Sequence, residues 1–113
     1  MKYLKIFESY NWDLLPDVKI GDYVSIDASE LSKFMIDYNV ELYIDFLNNN
    51  IGKIININRV VDNIKVKYKN VPDNIKVYFN DYNSIFLHPS NVKYYSKSLD
   101  ELKLKIDFEK YNL

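Results

Sequence analysis

Cysteine is absent from this 113-residue chain, which excludes a disulfide framework, a thiolate metal site and a thiol nucleophile. Histidine is nearly absent. His88 stands alone, so a His-based triad would have to use it, and a tetrahedral zinc site would lack its usual ligands. Arginine is reduced to Arg59, and glycine to Gly21 and Gly52. No apolar run approaches the ~20 residues of a membrane span, and no uninterrupted apolar segment near the start reads as a signal peptide. His-Glu-x-x-His, phosphate-loop and EF-hand spacings do not occur. The expectation is a non-enzymatic intracellular domain with no cofactor, no metal and no membrane partner.

What is present is lysine, asparagine, isoleucine and tyrosine, together 52 of the 113 residues. All four are served by A/T-rich codons, so the bias points to an A/T-rich bacterium, its phage or another virus. The eleven tyrosines could form an aromatic binding surface; the plainer reading, codon bias filling half-buried strand positions, is favoured. Net charge is −1, yet residues 8–45 carry nine acids against two lysines, while 53–97 carry eight basic residues against three acids. Such asymmetry fits two surfaces with different partners, or two halves that pack with complementary rims; the second is preferred.

Along the chain, 1–12 reads as a short amphipathic segment, an appendage or a leader, and Trp12 as a plug for one end of the core. Val18, Ile20, Val24 and Ile26 share parity, so 18–26 reads as a strand with Gly21 at its mouth. Asp27 and Glu30 spell a capping box, and Leu31, Phe34, Met35 and Tyr38 recur with helical spacing, predicting a helix over about 28–38. Residues 40–46 alternate as a strand but also continue a helix. A second strand occupies 51–58, with a bulge at Ile54-Ile55, and a third carries Ile64, Val66 and Tyr68. A short helix is expected at about 72–80, then strands at 84–87 and 92–95 around the His88-Pro89-Ser90-Asn91 turn. Ser98 and Glu101 form a second capping box, while Leu102, Leu104, Ile106 and Phe108 alternate as a strand would; helix is taken for 98–111.

The fold class this gives is mainly β (α+β): a small five-stranded barrel over 18–95 with a helical insertion at about 28–38, a short helix at about 72–80 and a C-terminal helix, in one domain over 1–113. Ile20, Val24, Ile54 or Ile55, Ile57, Val66 and Phe86 are expected to meet in one core, with both glycines at strand mouths. The Gly-Asp-x-Val opening, the Gly-Lys-Ile second strand and the four-residue turn between the last two strands resemble SH3-like barrels of the KOW and Tudor type. The whole is also similar to small tailed-phage proteins in which such a barrel carries a helical insertion and tail. The opening Met-Lys-Tyr-Leu-Lys-Ile-Phe-Glu resembles leaders that direct internal head proteins into the prohead and are cleaved after a Glu, here Glu8.

The best binding feature is the stripe of Lys65, Lys67 and Lys69, which period-2 spacing projects from one strand face. Lys53 or Arg59 could extend it, and Tyr78 and Tyr82 would bring aromatics beside it, the ingredients of single-stranded nucleic-acid binding. The plainer reading is solubilising charge that guards a sheet edge. The phage resemblance implies a protein that binds a host or virion protein, as an inhibitor of a host defence factor or a packaged virion component, in the host cytoplasm or the virion. The alternative is a KOW-like module for single-stranded RNA or DNA, which the slightly acidic net charge disfavours.

Overall fold

Short runs of β-branched and aromatic residues place five strands in one antiparallel sheet. In a computed structural model that describes residues 12–35 and 39–111, these are β1 (Tyr23–Ile26), β2 (Gly52–Asn58), β3 (Asn63–Lys67), β4 (Ser84–Leu87) and β5 (Val92–Ser96), in the order β4-β3-β2-β1-β5. Two α-helices accompany it, α1 (Val40–Asn49) and α2 (Leu99–Tyr111), with 3-10 turns at Ser29–Phe34, Asp73–Tyr78 and Pro89–Asn91. The expectations for residues 1–11, leader included, lie outside the described residues.

The hydrogen-bonded ladder does not close. β4 and β5 are the two edges of the sheet, where a closed barrel would pair them. One face is nonetheless a single core. Val24, Ile26, Ile54, Ile64, Val66, Ile85 and Leu87 are buried there against Tyr43, Leu47, Tyr68 and Phe79. Each fully buried aliphatic side chain is worth roughly 1.5–3 kcal/mol of transfer free energy. Ile57 packs against the cluster from its rim. The expected bulge falls at Ile55, because Ile54 pairs with Val66 while Asn56 pairs with Lys65.

Three expectations are corrected. The strand over 18–26 begins only at Tyr23, and Ile20 is 62% exposed. Turn chemistry overrides alternation there: Asp22 Oδ2 accepts from Lys19 N at 2.9 Å, and Gly21 holds a left-handed φ of 97°. Phe86 is 52% exposed; the opposite parity of β4, Ile85 and Leu87, enters the core. The helix over 28–38 is a 3-10 turn at Ser29–Phe34, because Asp27 Oδ1 accepts from Ser29 N at 3.0 Å in an Asx turn and the capping box does not form. Residues 36–38 lie outside the description. The alternative left open at 40–46, strand or helix, resolves as α1, whose buried Val40, Tyr43, Ile44 and Leu47 follow the helical period.

The ambiguity at 102–108 resolves as helix. Leu102 is fully buried, whereas Leu104 and Phe108 are 69% and 72% exposed, which a strand's alternation would not produce. Ser98 Oγ accepts from Glu101 N at 3.3 Å, and Glu101 Oε2 accepts from Ser96 Oγ rather than from the Ser98 amide. α2 packs on β1 and β5. It lies on the sheet face opposite the main core, where Tyr23 and Ser25 pair with Ser96 and Tyr94.

Gly52 opens β2 as expected, but for a different reason. Its backbone is ordinary, and it is the missing side chain that counts: a Cβ would run into Val66 Cγ1 and stand 2.9 Å from Tyr68 Cζ. Trp12 is half-buried at the β2–β3 turn, donating from Nε1 to Asp62 Oδ1 at 2.7 Å.

Candidate nucleic-acid interface

The pleat sends Ile64 and Val66 of β3 into the core, so Lys65 and Lys67 stand on the opposite face. Register then fixes their neighbours. Lys53 of β2 lies opposite Lys67, and Tyr23 of β1 lies opposite Lys53. Like charges directly opposed across a ladder destabilise a sheet by roughly 0.2–1 kcal/mol. Aromatic faces soften the local charge: Lys53 Nζ sits 5.7 Å from the Tyr23 ring centroid, and Lys65 Nζ 5.2 Å from that of Phe86.

α2 covers only the β1–β5 side of this face. Its first turns border an open groove of about 580 Å³ that runs along the uncovered side. Lys53, Lys67, Lys69 and, from α2, Lys103 line the groove, together with Tyr23, Asn49, Asn50 and Asn70. Among the described residues no carboxylate lines it. Among the described residues the ion pairs lie elsewhere, Lys76 with Asp73 at 2.8 Å and Lys93 with Glu109 at 3.2 Å. Four ammonium groups and three carboxamides converge without a counter-charge, which is a surface chemistry suited to a polyanion. A second groove of about 470 Å³ adjoins it, also lined by Lys67, Lys69 and Asn70, together with Asp81 and Tyr82.

Of the residues expected from sequence, Lys53, Lys67 and Lys69 are brought together, Lys65 stands beside them on the same face, and Tyr82 flanks the adjoining groove. Arg59 does not join them. It follows the far end of β2, and its guanidinium lies 4.5 Å over the Trp12 ring. Tyr78 belongs to the core side, with its ring centroid 5.0 Å from that of Tyr43. Tyr23 and Lys103 were not among the expected residues. Leu99 and Lys103 are four apart and so share a face of α2, a signal that acquires meaning only once that helix is docked beside β1.

His88, Asp27, Tyr43 and Tyr68 have structural roles. His88 Nδ1 accepts from Ser90 N at 3.2 Å and lies 2.8 Å from Ser90 Oγ, so the ring caps its own 3-10 turn. With Nδ1 accepting, the neutral ring carries its proton on Nε2. Hydrogen bonds from the Ser29 backbone and side chain hold the Asp27 carboxyl below its usual range. Burial pushes the Tyr43 phenol up to about 12 and raises that of Tyr68 further, with Tyr43 adding to the latter. Among the described residues no group of three or more His, Cys, Asp or Glu side chains could hold a metal ion, and no helix is long and apolar enough to cross a membrane. Comparison with protein-family profiles, with curated proteins and with solved structures finds no match.

Proposed function

We propose that the protein binds single-stranded nucleic acid through the basic face of its sheet. The observation that carries this reading is the convergence of Lys53, Lys67, Lys69 and Lys103 on one groove that no carboxylate lines among the described residues. A protein that places like charges opposite one another on adjacent strands accepts a stability cost, which a bound polyanion offsets. The exposed Phe86 and the half-buried Tyr23 supply apolar faces among the lysines, as base-stacking surfaces require. The strand order and the one-turn 3-10 segment between β4 and β5 support the finer fold reading as well, an SH3-like sheet of the KOW type. The slightly acidic net charge does not oppose this, because the acids are concentrated in 8–45 and the lysines in 53–97.

The test is fluorescence anisotropy with a labelled 12-mer of oligo-uridine or oligo-thymidine at 50 and 200 mM salt. Binding that weakens steeply with salt, and that vanishes in Lys65→Glu/Lys67→Glu/Lys69→Glu, supports the reading; no binding at low salt removes it.

A second reading, a phage or mobile-element component that docks on another protein in the host cytoplasm or virion, draws on a different place. At the β2–β3 turn Val60 is 93% exposed and Val61 63%, an apolar tip that a protein partner could cover. Pull-down from host lysate by the wild-type chain, lost in Val60→Asp/Val61→Asp, would favour this second reading over the first.

A further inference from the structure

We propose that the ligand is an extended strand rather than a compact anion, and that Tyr82 is the platform on which one of its bases stacks. This deepens the nucleic-acid reading and rests on it. Two observations carry it.

The first is continuity. The two grooves share Lys67, Lys69 and Asn70, so they form one track that begins at Lys103 and Lys53 and ends at Tyr82. Uncompensated charge declines along that track. Among the described residues the first groove holds four lysines and no acid. In the second, Asp81 joins the lining, and Lys76 is already paired with Asp73 at 2.8 Å. A mononucleotide or free phosphate fits within the first groove alone and leaves the second unexplained. A strand with its phosphates on the lysines arrives at Tyr82 where charge is neutralised, and what the protein offers there is an aromatic face.

The second is the conformation of Tyr82. Asp81 and Tyr82 both have left-handed backbones, with φ of 53° and 65°, inside the turn closed by the Asn83 N to Asn80 O hydrogen bond at 3.2 Å. Turns of this kind select Gly at the second position, and a bulky aromatic there is strained. A packing reward would account for it, but the Tyr82 side chain is not packed: the residue is 69% exposed. The turn itself is firmly held. Asn80 N donates to Ser84 O at 2.7 Å, Ser84 N and Oγ donate to Asn80 O at 3.0 Å, and Tyr68 N donates to Asn83 O at 2.8 Å. An exposed aromatic ring on a rigid, strained turn beside a lysine track is suited to stacking, because the ring is presented without being ordered at the moment of binding.

The experiment uses the full chain and three labelled probes: a thymidine 12-mer, a thymidine 3-mer, and a 12-mer of abasic deoxyribose phosphates that carries the charges without the bases. Wild type is expected to bind the thymidine 12-mer roughly tenfold or more tightly than the abasic one, and more tightly than the 3-mer. Tyr82→Gly, which suits the turn, is expected to melt higher than wild type yet lose that preference for bases, with an unchanged salt dependence. Tyr82→Trp is expected to restore it. Equal binding of the thymidine 12-mer by wild type and Tyr82→Gly overturns the stacking role while leaving the lysine track standing. Equal affinity for 3-mer and 12-mer overturns the extended path. No binding of any probe by wild type at 20 mM salt overturns both this inference and the reading beneath it, and full competition by polyglutamate does so in favour of an acidic protein partner.

Discussion

Lys53 and Lys67 are direct neighbours across the β2–β3 ladder, two ammonium-bearing side chains on the same face with no carboxylate between them among the described residues. Lys67→Glu would place an opposite charge in that register. The variant is expected to be more stable than wild type by about 0.5 kcal/mol at low salt, since opposed charges contribute roughly 0.2–1 kcal/mol in either direction. It is expected at the same time to bind oligonucleotide more weakly. Thermal melts and anisotropy on the same sample check both, and a variant that is destabilised would show that the lysine is structural.

Gly52→Val is expected to destabilise the fold by ~1–3 kcal/mol, the cost of overpacking a filled core. The added side chain meets Val66 and Tyr68 directly. Gly52→Ala already brings a Cβ into that space, so it too should lower the urea midpoint. Gly21→Ala is different in kind: nothing stands within 4 Å of its Cβ, and the φ of 97° alone makes the substitution unfavourable, by ~1 kcal/mol. A pair of urea titrations separates the two mechanisms when Val66→Ala is added as a second change, because it relieves the first and not the second.

The Tyr68 hydroxyl is buried with no hydrogen-bond partner among the described residues. Tyr68→Phe is therefore expected to be neutral or stabilising, by up to ~1–2 kcal/mol, since an unsatisfied buried hydroxyl costs about that much. The raised phenol of Tyr43, at about 12, and that of Tyr68 also set the alkaline limb of stability. In the folded chain these phenols keep their protons above pH ~10, where an unfolded chain releases them. Their contribution is full below pH ~10 and is lost as pH rises through the folded values. Tyr43→Phe/Tyr68→Phe should flatten the fall of melting temperature between pH 9.5 and 11.5; an unchanged slope would place the alkaline sensitivity elsewhere.

At the acid end the sign is opposite. Asp27 has its carboxyl pKa held down by hydrogen bonds from Ser29, with Lys93 adding a smaller effect. The stabilisation is present above the unfolded value of ~3.9 and is lost as pH falls through the folded one. Asp27→Ala should therefore lower the melting temperature at pH 7, with the difference from wild type shrinking below pH ~4. A constant difference across pH 2–7 would assign the effect to helix propensity or packing.

These residues also show what was legible before the fold. β3 could be read directly, because Ile64 and Val66 alternate with lysines there and the flanking turns are marked by Asn and Asp. β4 was legible as a strand but not in its parity, because Ile85, Phe86 and Leu87 are all apolar and only Ile85 and Leu87 turn inward. Ile55 could be read as a bulge from a local break in that alternation. Ile20 misled, because the pattern of apolar residues ran straight across an Asp22-anchored turn. Residues 40–46 stayed undecided because an alternating segment of that length satisfies both periods until Leu47 is added, and Leu47 is fully buried. At the candidate site, period-2 spacing sufficed to align Lys65 with Lys67. Lys103 was not legible. Its place in the groove depends on where α2 docks, a tertiary fact with no local signature. Arg59 and Tyr78 were misplaced for the same reason, since proximity in sequence to the lysines did not make them neighbours on one face.

The salt dependence of oligonucleotide binding tests the central claim most directly. Each phosphate neutralised on a single strand contributes ~0.7 to the slope of log affinity against log salt, so four lysines predict a slope of about −3. Changing Lys53, Lys67, Lys69 and Lys103 to Gln one at a time should reduce that slope in steps of ~0.7 while the protein stays folded. A wild-type slope near zero, or a slope that survives the fourfold Gln variant, would contradict the assignment of this groove as the binding surface.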